Sequence, residues 1–155
     1  MQSATKTTAV QREIAIAARP ETVWEFLVDP VRATRWMGMN ASLDPRPGGL
    51  YLVDVIPNHT ARGEFVEVEP PHRLVFTWGW DANEDGPNPV PPGSTTIEIE
   101  LVPDGDGTLL RFSHELPTVE SAESHAHGWD HYLGRLATAA AGSDPGADPW
   151  VSGEM

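Results

Sequence analysis

The chain has 155 residues, 39% of them hydrophobic and six of them Trp, which suits one domain with a sizeable buried core. Ten basic residues stand against 23 acidic ones, and the resulting net charge of −13 argues against nucleic acid or an anionic membrane surface as partner, since either would have to overcome long-range repulsion. Cysteine is absent, so disulfides, thiolate chemistry and Cys-based zinc sites are excluded.

The opening stretch MQSATKTTAVQRE has no apolar core of a signal peptide, and no run of about 18 apolar residues occurs, so a soluble, cytoplasmic protein is expected. From residue 10, VQREIAIAA alternates and places Val10, Arg12, Ile14 and Ile16 on one side of a first strand. An arginine on that side needs either an acid partner or a register slip at a bulge. Arg19-Pro20-Glu21 then opens a helix, with Pro at its first position and Val23, Trp24, Phe26 and Leu27 as the buried stripe. Asp29-Pro30 ends it and caps a second short helix running to about Trp36.

A short strand over 39–43 and a Pro/Gly turn over 44–49 lead into strands at hairpin spacing. These cover 50–56, 61–69, 72–80, 95–102 and 108–115, and tight connections between consecutive strands imply an antiparallel meander. The segment 81–94, DANEDGPNPVPPGS, is too rich in Pro, Gly and acid for regular structure, and its length suits a lid or binding loop. Next, Ala122, Ala126, Trp129, Leu133, Leu136 and Ala140 recur at helical spacing. Thr118 or Ser121 can cap this helix and Gly142 can stop it, giving a rod of roughly 35 Å. The expected organisation is a single domain over 10–142 with flexible tails at 1–9 and 143–155, although Trp150 could dock. The fold class is α+β: a curved antiparallel sheet wrapped around a long C-terminal helix.

Five stretches carry a resemblance to a known family: ARPETVWEFLVDPVRATRWM at 18–37, PGGLYLVDV at 47–55, GEFVEVEPPHRLVFTW at 63–78, TTIEIELVPDGDGTLLRFSHELP at 95–117 and HAHGWDHYLGRL at 125–136. Together with the element order β-α-α-β6-α they resemble the helix-grip fold of the START-like (SRPBCC) superfamily. Within it they are similar to the branch named after the activator of the 90-kDa heat-shock protein's ATPase. The resemblance implies a hydrophobic pocket between sheet and long helix. It does not fix a ligand, because members range from lipid carriers and hormone binders to aromatase/cyclases.

Trp36, Tyr51, Phe76, Trp78, Trp80 and Trp129 are the aromatic candidates for a pocket wall, with Met39, Val53, Ile97, Ile99, Phe112 and Leu133 as aliphatic and aromatic neighbours. For each, the plain alternative is core packing. Phe76, Trp78 and Trp80 share one strand face that stays aromatic to its tip beside the long loop, as an apolar cavity with a mouth would. His114 and His125 are the polar candidates, for a ligand carbonyl or hydroxyl or for backbone. Glu123, His127 and His131 lie at i, i+4 and i+8, but offset from the apolar stripe and without a further ligand, so they read as a solvated face and no metal is expected.

No cofactor motif is present. The leading expectation is a binding domain for a hydrophobic, aromatic or lipid-like small molecule. An aromatase/cyclase-like or hydrolytic enzyme with His114 handling protons comes second. A chaperone-regulating interaction domain, suggested by the branch name alone, comes third. An exposed edge strand such as the first could pair across a two-fold axis, which leaves a homodimer open.

Overall fold

Seven antiparallel strands form one sheet in the computed structural model, which describes residues 8–81 and 90–152. In chain order they are β1 (Ala9–Ile16), β2 (Asn40–Leu43), β3 (Leu50–Ile56), β4 (His59–Glu69), β5 (Arg73–Trp78), β6 (Thr95–Asp104) and β7 (Gly107–Glu115). Helices α1 (Pro20–Val28) and α2 (Pro30–Ala33) sit between β1 and β2. The long α3 (Val119–Ala140) follows β7, and α4 (Pro149–Ser152) comes last. Across the sheet the order is β1-β7-β6-β5-β4-β3-β2, so the meander returns the first strand to the edge beside β7. This is the α+β helix-grip arrangement.

Local chemistry accounts for the element ends. The Asp29 side chain accepts from the Arg32 backbone N–H and starts α2 behind Pro30. The Thr118 hydroxyl accepts from Ser121 N–H at the start of α3. Gly142, at φ +93°, takes the left-handed conformation that ends that helix without steric cost. Register shifts at 54/56 and 65/67 are bulges that bend the sheet around the helix. The second bulge turns Val66 out to solvent and lets Phe65 and Val68 face in. At Gly63 a side chain would collide with the Thr77 carbonyl of the neighbouring strand.

The inner sheet face and α3 interlock around fully buried Leu74, Ile97, Leu110 and Leu136. The helix buries a wider stripe than the periodic apolar residues alone, because Ser121, Tyr132 and Ala139 are buried beside them. Arg12 does face inward, and its acid partner is Asp130 of α3, 2.7 Å from Nε. That pair ties the edge strand to the helix at a partly exposed rim. No helix among the described residues is long and apolar enough to cross a membrane.

Two expectations are corrected. Residues 143–152 do not form a free tail but a strap packed on α3. Tyr132 Oη donates to Asp148 Oδ2 at 2.7 Å, His131 Nε2 lies 2.9 Å from Asp148 Oδ1, and Arg135 reaches the carbonyls of Pro145 and Gly146. Of the face expected to be solvated, His127 is exposed, whereas His131 is half-buried; the Trp150 ring stacks on both imidazoles, with centroids 5.3 and 3.9 Å away. Most of the 81–94 loop lies outside the described residues. Its ends are held by Arg62 pairing with Asp81 at 2.8 Å and by Trp80 N–H donating to the Val90 carbonyl.

Candidate functional site

Three elements meet at one end of the helix–sheet seam: the end of β3, the Trp78–Trp80 end of β5, and the N-terminal half of α3. They line a half-open cavity of about 340 Å³, with Trp150 of the strap as a further lining residue. Its walls are chiefly Trp78, Trp80, Trp129, Tyr132 and Trp150, with Met37, Val55 and Ile56 on the aliphatic side. His59, His125, His127 and Ser124 supply the polar edge, and among the described residues no carboxylate, guanidinium or ammonium group contributes. The volume falls at the small end of the roughly 300–1,000 Å³ usual for small-molecule sites. Such a lining disfavours an ionic guest, which would leave water without a counter-charge.

Strand alternation delivers Trp78 inward, and the extension of β5 to an isolated bridge between Ala61 and Trp80 carries the aromatic face to the rim. The rings meet at angles rather than in flat stacks: Trp78 lies 5.3 Å from Trp80 and 5.1 Å from Trp129, centroid to centroid. The Trp78 indole Nε1 is buried with no hydrogen-bond partner among the described residues. A donor buried without a partner costs about 1–3 kcal/mol. It is the one side-chain donor or acceptor in this state among the described residues.

Two histidines back this wall, and each accepts from an indole. Trp80 Nε1 donates to His125 Nε2 at 3.0 Å, while His125 Nδ1 contacts the Ser121 carbonyl at 2.8 Å. Trp129 Nε1 donates to His114 Nδ1 at 3.0 Å, and His114 Nε2 contacts Thr95 Oγ1 at 2.8 Å. Thr95 in turn donates to the Trp78 carbonyl at 2.7 Å. An indole nitrogen can only donate, so His114 Nδ1 and His125 Nε2 carry no proton and both rings are neutral with assigned tautomers. Burial, and then the neighbouring His125, push His114 down to about 3, and burial likewise lowers His125 against a smaller opposing contribution from the Ser121 carbonyl.

Of the side chains singled out in the sequence, Trp78, Trp80, His125 and Trp129 come together on the cavity wall. Trp36, Tyr51, Phe76, Ile99, Phe112 and Leu133 instead surround a deeper crevice of only about 10 Å³. Tyr51 stacks on Phe76 at 4.2 Å and Phe112 meets Trp129 at 4.7 Å, so these side chains fill the expected wide pocket with their own rings. Trp36 is an anchor for the helical insert, donating to the Phe26 carbonyl while its own carbonyl accepts from Arg135. Val53 and Ile97 are core residues away from the cavity, and Met39 is 38% exposed beside a separate groove. His114, at 0% exposure, stands behind the wall with both ring nitrogens engaged, which leaves it no open position for proton transfer.

The residues the sequence reading does not place at the site are Met37, Val55, Ile56, His59, Ser124, Gly128 and Tyr132, while Trp150 figures in it only as able to dock. For Val55 the signal was present, since it alternates with Val53. For Tyr132 it was not, because a residue just off the periodic stripe becomes buried only when the strap lies down. No cluster of His, Asp or Glu that could hold a metal occurs among the described residues.

Asp148 organises the strap. Burial alone would push its carboxyl up, but hydrogen bonds from Tyr132, His131 and the Trp150 backbone N–H outweigh that and hold it below the usual carboxylate range.

The sequence pattern described as Activator of Hsp90 ATPase homolog 1-like protein matches residues 17–141. Among solved structures the chain is similar to an AHSA1-like protein from Rhizobium etli, with 48% identity, 94% of this chain and 91% of that one covered, and a TM-score of 0.71. DynU16, a protein of the dynemicin biosynthetic locus, is 25% identical with a TM-score of 0.76 over 92% of this chain, which spans 51% of DynU16. CalU16 from Micromonospora echinospora is 27% identical, with 91% and 70% of the two chains covered and a TM-score of 0.70. No curated protein matches the sequence.

Proposed function

Because this chain belongs to the Activator of Hsp90 ATPase homolog 1-like family of the START-like superfamily, we propose that it is a binding domain for a neutral, aromatic small molecule held in the cavity between β3, β5 and α3. The observation that carries this reading is the wall itself: among the described residues, four Trp and a Tyr around about 340 Å³, no ionic side chain, and one buried indole N–H without a partner. A flat ring system gains apolar burial and edge contacts there. A carbonyl or ether oxygen on it would give the Trp78 N–H its missing acceptor after a small adjustment of the ring. DynU16 belongs to a biosynthetic locus, which accords with an organic metabolite as guest. An enzymatic role through His114 has less support, since its ring nitrogens are already committed.

The test uses the Trp indole N–H signals of the 15N-labelled protein titrated with 2-acetylnaphthalene. The signals of Trp78, Trp80, Trp129 and Trp150 should shift, while those of Trp24 and Trp36, away from the cavity, stay in place. Movement of the second group alone, or of none, would overturn the reading.

A further inference from the structure

We propose that the strap of residues 143–152 is itself a wall of the ligand site, and that Trp150 sets the length of the molecule the cavity admits. The inference rests on the ligand reading above. The family pattern ends at residue 141, so the strap follows the matched segment. It is nevertheless built in. Asp148 is 9% exposed and takes three hydrogen bonds, from Tyr132, from His131 and from the Trp150 backbone. Arg135 holds the strap's other end through the Pro145 and Gly146 carbonyls while also bonding the Trp36 carbonyl of the helical insert.

The placement of α4 shows what this anchoring does. The short helix touches β3, and through the Trp150 ring it also meets His131 and Tyr132 of α3. One face of the Trp150 ring lies on His131, near parallel at 20°, and Tyr132 meets it edge-on at 5.6 Å. The ring thereby borders a half-open cavity whose other aromatic walls, Trp78, Trp80 and Trp129, belong to the core or pack against it. Three of the walls are fixed by packing between strands and helix. The fourth is held by the hydrogen bonds to Asp148, by Arg135 and by the contacts of the Trp150 ring with His127, His131 and Tyr132. On this proposal a two-ring guest lies inside the Trp150 ring, and a longer fused system has to displace it.

The experiment compares two ketones of different length, 2-acetylnaphthalene and 1-acetylpyrene, by calorimetry with the full chain and with Trp150→Ala and Asp148→Asn. The unaltered protein should prefer the two-ring probe. Trp150→Ala should weaken that probe roughly threefold to tenfold through lost ring contact and strengthen the four-ring probe. Asp148→Asn keeps Trp150 but loosens its anchor, so it should shift both affinities in the same directions. It also carries the test if Trp150→Ala proves poorly folded by circular dichroism. An unchanged ratio of the two affinities in the folded variants overturns the wall assignment and leaves the ligand reading standing. Failure of both probes to bind the unaltered protein overturns the ligand reading, and the wall assignment with it.

Discussion

Lowering the pH sets the unfolded chain against the folded one at His114. In the folded protein this ring is buried, accepts the Trp129 indole N–H, and is pushed from an ordinary 6.5 down to about 3. Below about pH 6.5 the unfolded chain takes up a proton at this position and the folded one does not, so stability falls as the pH falls until the folded value is reached. At about pH 5 the gap is some 1.5 pH units, and at about 1.4 kcal/mol per unit His114 alone should cost roughly 2 kcal/mol. His125, lowered in the same direction, adds to the loss. Urea unfolding followed by Trp fluorescence at about pH 7.5 and about pH 5 measures the difference directly, provided the denaturant dependence stays constant between them. His114→Gln removes the titrating group, so its own pH-dependent loss should be smaller by about 2 kcal/mol, whatever its absolute stability. Equal losses in the two proteins, or an NMR titration that places the His114 ring near its ordinary value, would refute the buried indole–imidazole arrangement.

The remaining predictions address the helix that the sheet grips. Trp129→Ala removes a ring that contacts Phe112, Trp78 and His114 and leaves the His114 acceptor unpaired, so denaturation should show a loss of about 3–5 kcal/mol. A loss below about 1 kcal/mol would mean that the seam is not packed around this residue. Thr118→Ala deletes the N-cap of α3 and should cost about 1 kcal/mol, read as a lowering of roughly 2–4 °C in Tm. An unchanged melting temperature would move the start of the helix elsewhere.

Much of this architecture follows from short-range pattern. The alternation of Ile97, Ile99 and Leu101 with Thr96, Glu98 and Glu100 specifies a half-buried strand because successive side chains point to opposite faces. The Asp29-Pro30 junction and the 122–140 periodicity specify helices through capping and a 3.6-residue repeat. The same alternation puts Trp78 and Trp80 on one face, and with Trp129 from the helical stripe three of the five aromatic rings of the wall are legible in the sequence. Periodicity tells which side a residue faces but not how deep it sits. It could not separate Tyr51, Phe76 and Phe112, whose rings fill the seam, from Trp78 and Trp129, which border open space. That distinction depends on the curvature set by two bulges and on how rings from non-adjacent strands interlock. His114 reads equally well as a ligand group or a core group until Thr95 and Trp129, 19 and 15 residues away, supply its two partners. The strap is the clearest case of all. Residues 143–152 have neither periodicity nor strand alternation, and their place is fixed by contacts of Asp148 and Trp150 with one face of α3 that exists only once the helix has formed.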